Sequence, residues 1–166
     1  MNTHDILTIY DYNYWATRQI LVACAHVNSE QFITPTFHSL GSLRGTLLHT
    51  LDSEFGWRML LQHKTLSSFR TVREEDFPTL DSLEQSWREE ERAMREYLAS
   101  LSDNDLSNIV RYTTDEGDKR ARVLWHCLLH VVNHGTQHRS EAATILTGYG
   151  HSPGGLDFTA FLNEQQ

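Results

Sequence analysis

Prolines occur only at Pro35, Pro78 and Pro153, so long stretches between them carry no proline to interrupt a helix, and these read as helices. The first runs from about Asp5 to Val27, capped by Asn2 or Thr3, with Ile6, Tyr10, Tyr14 and then Ile20 or Leu21 as its apolar stripe. Asn28 to Phe37 reads as a loop. A second helix starts near Ser39 or Ser42 and ends around His63-Lys64, with Leu48, Leu51, Phe55 and Met59 recurring at threes and fours. From Thr65 to Pro78 the pattern lapses into a long connection. Asp81 with Glu84 resembles a capping box that opens a third helix through Leu83, Trp87, Met94, Leu98 and Leu101. Its run Arg88-Glu89-Glu90-Glu91-Arg92 reads as a solvated face with short-range ion pairs.

Between Asp103 and Arg120, Ile109 to Thr114 has β character and Asp115-Glu116-Gly117-Asp118 is turn chemistry, which suggests a short hairpin. The fourth long helix is expected from about Ala121 to Leu146, with Gly148 as its C′ residue. Leu156, Phe158, Phe161 and Leu162 suggest a short C-terminal helix. The expected fold is all-α: one domain over residues 1–166, a four-helix bundle with at least one long crossover connection, because both middle connections are long for a simple up-down bundle.

Histidine is the unusual residue: the chain has 10, and His126, His130, His134 and His138 stand four apart on the fourth helix. Two histidines at i and i+4 project from one helix face and can share a metal ion. Four steps cannot all do so, since each step of four turns roughly 40° around the axis. With His134 at zero, the arc formed by Leu124, Cys127, Leu128, Val131, Ala142, Ile145 and Leu146 centres roughly 80° to one side, and His138 lies at about +40°. His130 and His126 fall progressively away from the core, so His134 and His138 are the inward pair. A third ligand must come from another helix. His49 is the one histidine inside helix two, and Ser42, Gly45, Ser53 and Gly56 on its face leave room beside the imidazole. A hydrogen-bonded core histidine is the bland alternative for each. Glu141 is close to His134 on the wheel and is either a support for the site or an ordinary surface acid. Glu54 points roughly 140° away from His49 and is left out of the site.

The stretch His130-Val-Val-Asn-His134-Gly-Thr-Gln-His138-Arg139 closely resembles the helix-four signature of the DinB-like family, grouped as damage-inducible candidate metalloenzymes. Leu48-His49-Thr-Leu-Asp-Ser-Glu-Phe-Gly-Trp57 is similar to its helix-two motif, and Tyr12-Asn-Tyr-Trp15-Ala16 and Leu156-Asp157-Phe158 to its first and last segments. The resemblance implies a divalent metal, zinc or nickel, on His49, His134 and His138, and a homodimer. It also implies chemistry of the kind found in relatives that join low-molecular-weight thiols to electrophiles. From the residues alone, a metal-activated thiol transferase, a metal-dependent hydrolase and a non-enzymatic module stapled by its ion all stay open.

Composition narrows the partners. The formal charge is −8, with 22 acids against 14 bases and no basic run, which disfavours nucleic acid and anionic membranes. No apolar run is long enough to span a bilayer and no leader pattern opens the chain, so a soluble cytoplasmic protein is expected. Cys24 and Cys127 form no close pair and read as buried reduced thiols. No Gly-rich phosphate loop precedes a helix, and no Ser- or Cys-centred nucleophile motif appears.

Overall fold

The computed structural model describes residues 1–63, 73–114 and 117–165. Its six α-helices are α1 (Thr3–Cys24), α2 (Ser29–Ile33), α3 (Leu43–His63), α4 (Leu80–Ala99), α5 (Leu124–Gly148) and α6 (Phe158–Glu164). Two strands, β1 (Ile109–Thr113) and β2 (Lys119–Val123), pair antiparallel with Ile109 opposite Val123. The fold is a mostly α-helical bundle, and none of the described helices is long and apolar enough to cross a membrane.

Helix ends follow local chemistry, and four of them depart from expectation. At α1 the Asn2 side chain accepts from the Asp5 amide while Asp5 accepts from the Asn2 amide. The helix stops at Cys24, three residues short of the expected Val27, because Asn28 nucleates α2 through the same reciprocal box with Gln31. The presumed loop therefore contains a helical turn. Ser42 opens α3 by accepting from the Gly45 amide, and a Cβ at Gly45 would overlap the Leu40 carbonyl, so glycine there admits the preceding loop. At α4 the cap is Thr79, which accepts from Ser82, and Asp81 sits inside the first turn instead of at the cap. Ala121–Val123 pair with β1, so α5 begins at Leu124 and not at Ala121. At its end Gly148 is still helical; Gly150, at φ +84°, takes the left-handed position, and the His151 amide closes back on the Leu146 carbonyl. The expected turn at Asp115–Asp118 lies partly outside the described residues, as does much of the Thr65–Pro78 connection.

Four long helices form the bundle, with α1 and α3 both packed against α4 and α5. Named contacts set their directions. Asn13 and Tyr14 of α1 meet Glu54 of α3, Arg18 and Asp11 meet Glu91 and Arg95 of α4, and Tyr10 and Asn13 meet Leu128 and Arg139 of α5. Thus α1 runs parallel to α5 and antiparallel to α4, and the packing of Ile20 with Leu43 and Leu47 and of Tyr10 with Leu61 makes it antiparallel to α3 as well. The consecutive helices α3 and α4 therefore point the same way, which is the long crossover expected from the sequence. Arg44 near the start of α3 is paired with Glu74, just ahead of α4, consistent with that arrangement.

The core comes in two parts. One cluster holds Tyr10, Tyr14, Met94, Leu98, Leu128 and Val132 with α6's Phe161; the other holds Ile20, Leu43, Leu47, Leu83, Trp87 and Leu146. Between them lies a layer of buried polar side chains: Asn13, Thr17, Glu54, Arg58, Glu90 and Arg139. Such a layer is tolerable only if its members satisfy one another. They do. Arg58 grips Glu90 through two parallel bonds of 2.6 and 2.7 Å. Arg139 donates to Asn13 at 2.6 Å, and Asn13 and Tyr14 donate to the two oxygens of Glu54 at 3.1 and 2.5 Å.

Candidate metal centre

Because α3 and α5 are antiparallel neighbours at the level of that polar layer, His49 comes to rest beside His134 and His138. The Nε2 atom of His134 is 3.3 Å from Nε2 of His49 and 3.1 Å from Nε2 of His138. The three side chains form a group whose ligand atoms all lie within 4.8 Å of one another. Nitrogens bound at about 2.0–2.1 Å in a tetrahedral shell stand about 3.3–3.4 Å apart. Both separations from His134 are close to that.

Proton placement favours a cation over a simple hydrogen-bonded cluster. His138 Nδ1 lies 2.8 Å from Glu141 Oε2. Where the carboxylate accepts, the imidazole donates from Nδ1, and in the neutral ring Nε2 is then left with a lone pair toward His134. His134 Nε2 carries at most one proton in the neutral ring, yet it faces two other ring nitrogens. With one in-plane site, a proton or a lone pair, His134 Nε2 cannot make a well-directed hydrogen bond to both neighbours at once, whereas a cation among the three nitrogens would meet a lone pair from each. The donor set therefore fits a divalent metal, and the His138–Glu141 contact is the orienting support that metal-binding imidazoles ordinarily have.

Burial grades across the group. His138 is 5% exposed, His134 is intermediate and His49 is the most open, so the cluster has a closed side and a solvent side. Burial, then the imidazoles of His138, His49 and His130, pull His134 down to about 4 against the opposing influence of Glu141. Burial and His138 lower His49 as well, against Asp52 and Glu141. His134 is consequently a neutral imidazole through the physiological range, the form in which it could bind a metal ion.

The histidine ladder separates as the helical wheel requires. His130 reaches only ring contact with His134, at 5.8 Å between centroids, and packs its edge against Trp57. His126 is exposed and lies against Trp125. Elsewhere His26 and His151 stack on each other, away from the group. Glu54 does point away from His49, into the polar layer, where burial drives its carboxyl up to about 7. Sequence reasoning missed that layer: Asn13, Glu54 and Arg139 look like unremarkable helix residues until three helices converge on them. Gly135 was one available signal. A Cβ there would stand 2.7 Å from Arg139 Nη1 and 3.1 Å from Asn13 Oδ1.

A sequence model of the DinB family matches residues 1–166. The chain belongs to the DinB family. It is also similar to Protein DinB of Bacillus subtilis (strain 168), with 25% identity over 157 residues, covering 93% of this chain and 91% of that protein. In this DinB-family chain the likeness extends well beyond the two histidine segments, and the three imidazoles that could hold a metal ion come from its second and fourth long helices.

Proposed function

We propose that His49, His134 and His138 hold one divalent ion, zinc or nickel, and that the protein uses it to transfer a low-molecular-weight thiol to an electrophile. The observation that carries this reading is the open side of the cluster. Among the described residues the group has three members and no fourth, and its solvent side is lined by the two less buried histidines. Structural zinc is normally closed by four protein ligands, whereas catalytic sites keep a position free. Three neutral imidazoles leave the ion its full charge, and an ion so held favours thiolate over thiol at neutral pH.

The residues divide the remaining work. Glu141 holds the His138 ring in its ligating orientation, and the buried face of α5 keeps water from that side. In the transfer itself the thiol proton is released to solvent, the new sulfur–carbon bond forms, and the leaving group departs with its electron pair. The test is the consumption of a bromoalkyl fluorophore by zinc- or nickel-loaded protein with a panel of cellular thiols. The reading expects a rate above background that chelation abolishes and added metal restores. Fully metallated protein with no such rate for any thiol would overturn it.

Two further parts of the reading are coarser. A homodimer is supported by exposed apolar side chains such as Phe37 and Val22, and light scattering at micromolar concentration tests it. A cytoplasmic setting is supported by the two cysteines, both free and buried.

A further inference from the structure

The ground beside the histidine group is lopsided. Toward the C-terminal end of α5 stands the carboxylate of Glu141. One turn in the other direction, about 6 Å along the axis, the side chains are rings. Trp57 of α3 meets His130 of α5 edge-on at 5.1 Å between centroids and meets Tyr112 of β1 edge-on at 5.6 Å. His130 in turn touches His134. Trp57 and Tyr112 are only partly buried and His130 is exposed, so the corner is built but not filled by the core.

One observation gives this corner room. Gly56 lies seven residues after His49, within about 20° of the same helix face, and a Cβ built on it meets nothing within 4 Å.

We propose that Trp57, Tyr112 and His130 form the subsite for the electrophile, and that it selects a planar, conjugated group, such as a nitroaryl ring, over a saturated one. The proposal rests on the thiol-transfer reading for the identity of the ligand as the electrophile, but the preference for a flat π-system rests on the rings. Edge-to-face and offset-stacked contacts reward a planar ring set against aromatic walls, and Arg120, the cross-strand partner of Tyr112, is paired with Asp118. A flat ligand against Trp57 and His130 would extend toward His134, whose ring His130 touches. The polar part of a thiol is left the opposite side, near Glu141.

The experiment uses zinc-loaded protein and two unreactive neutral probes of similar size, 4-nitrobenzamide and cyclohexanecarboxamide. Binding is followed by the indole N–H resonances, with that of Trp57 identified by its absence in Trp57→Leu. The proposal expects the flat probe to move the Trp57 resonance and to bind more tightly than the saturated one. It expects Trp57→Leu and Tyr112→Leu each to weaken the flat probe about fivefold while still loading metal. Trp57 packs against the core, so Tyr112→Leu serves if the first variant does not fold. Equal affinity for the two probes, no binding of the flat one, or undiminished affinity in the folded, metal-loaded variants would overturn the subsite. Selective binding without any thiol conjugation would leave the subsite standing and remove the thiol-transfer reading alone.

Discussion

Glu141 Oε2 stands 2.8 Å from Nδ1 of His138, and that contact decides which nitrogen of the imidazole is left to face His134 and His49. Removing the carboxylate frees the ring to rotate and to change tautomer. Glu141→Ala is expected to lower metal affinity by about 10- to 100-fold with the fold intact, as read by competition with a chromophoric chelator. An unchanged affinity would reduce Glu141 to a surface acid.

Gly135 tests the polar layer under the site. The bond from Arg139 to Asn13 passes so close to it that an added methyl must push the guanidinium aside. Arg139 is 3% exposed, and displacing it would strand a buried charge. Gly135→Ala should therefore destabilise the metal-free protein by about 1–3 kcal/mol in urea unfolding, although alanine is the better helix former. A neutral or stabilising result would mean the layer is loose.

Glu54 gives the layer a pH signature. Its folded carboxyl is raised to about 7 from an ordinary 4.5, chiefly by burial. The folded state therefore holds this proton after the unfolded chain has lost it. Its contribution is fully present below about 4.5 and is lost as pH rises through about 7, on the order of 3 kcal/mol at about 1.4 kcal/mol per pH unit. Urea midpoints of metal-free wild type and Glu54→Gln should diverge across this window, the wild type falling relative to the variant. Parallel curves would show that Glu54 stays ionised beside Arg139.

Most of the bundle was legible because its cues are local. The four long helices follow from apolar spacing, and the crossover from the length of the connections. The inward choice of His134 and His138 follows from the angular drift of a four-residue repeat, and the structure places them with His49 as expected. The misread ends were competitions between short-range signals: Asn28 with Gln31 formed a cap where polarity suggested loop, Thr79 capped ahead of Asp81, and cross-strand pairing claimed Ala121–Val123 before the helix could. What a single chain pattern hides is convergence. Asn13, Glu54 and Arg139 are far apart in sequence and become one network only once α1, α3 and α5 pack. Trp57, Tyr112 and His130 likewise meet across two helices and a strand.

The most direct test of the account is the metal content of protein reconstituted with zinc or nickel and freed of excess ion, compared with His49→Ala and His134→Ala variants whose helical content is checked by circular dichroism. The account predicts about one ion per chain in wild type and loss of it in both folded variants. No retained ion in wild type, or full retention in either variant, would contradict it and leave the three histidines as a hydrogen-bonded cluster.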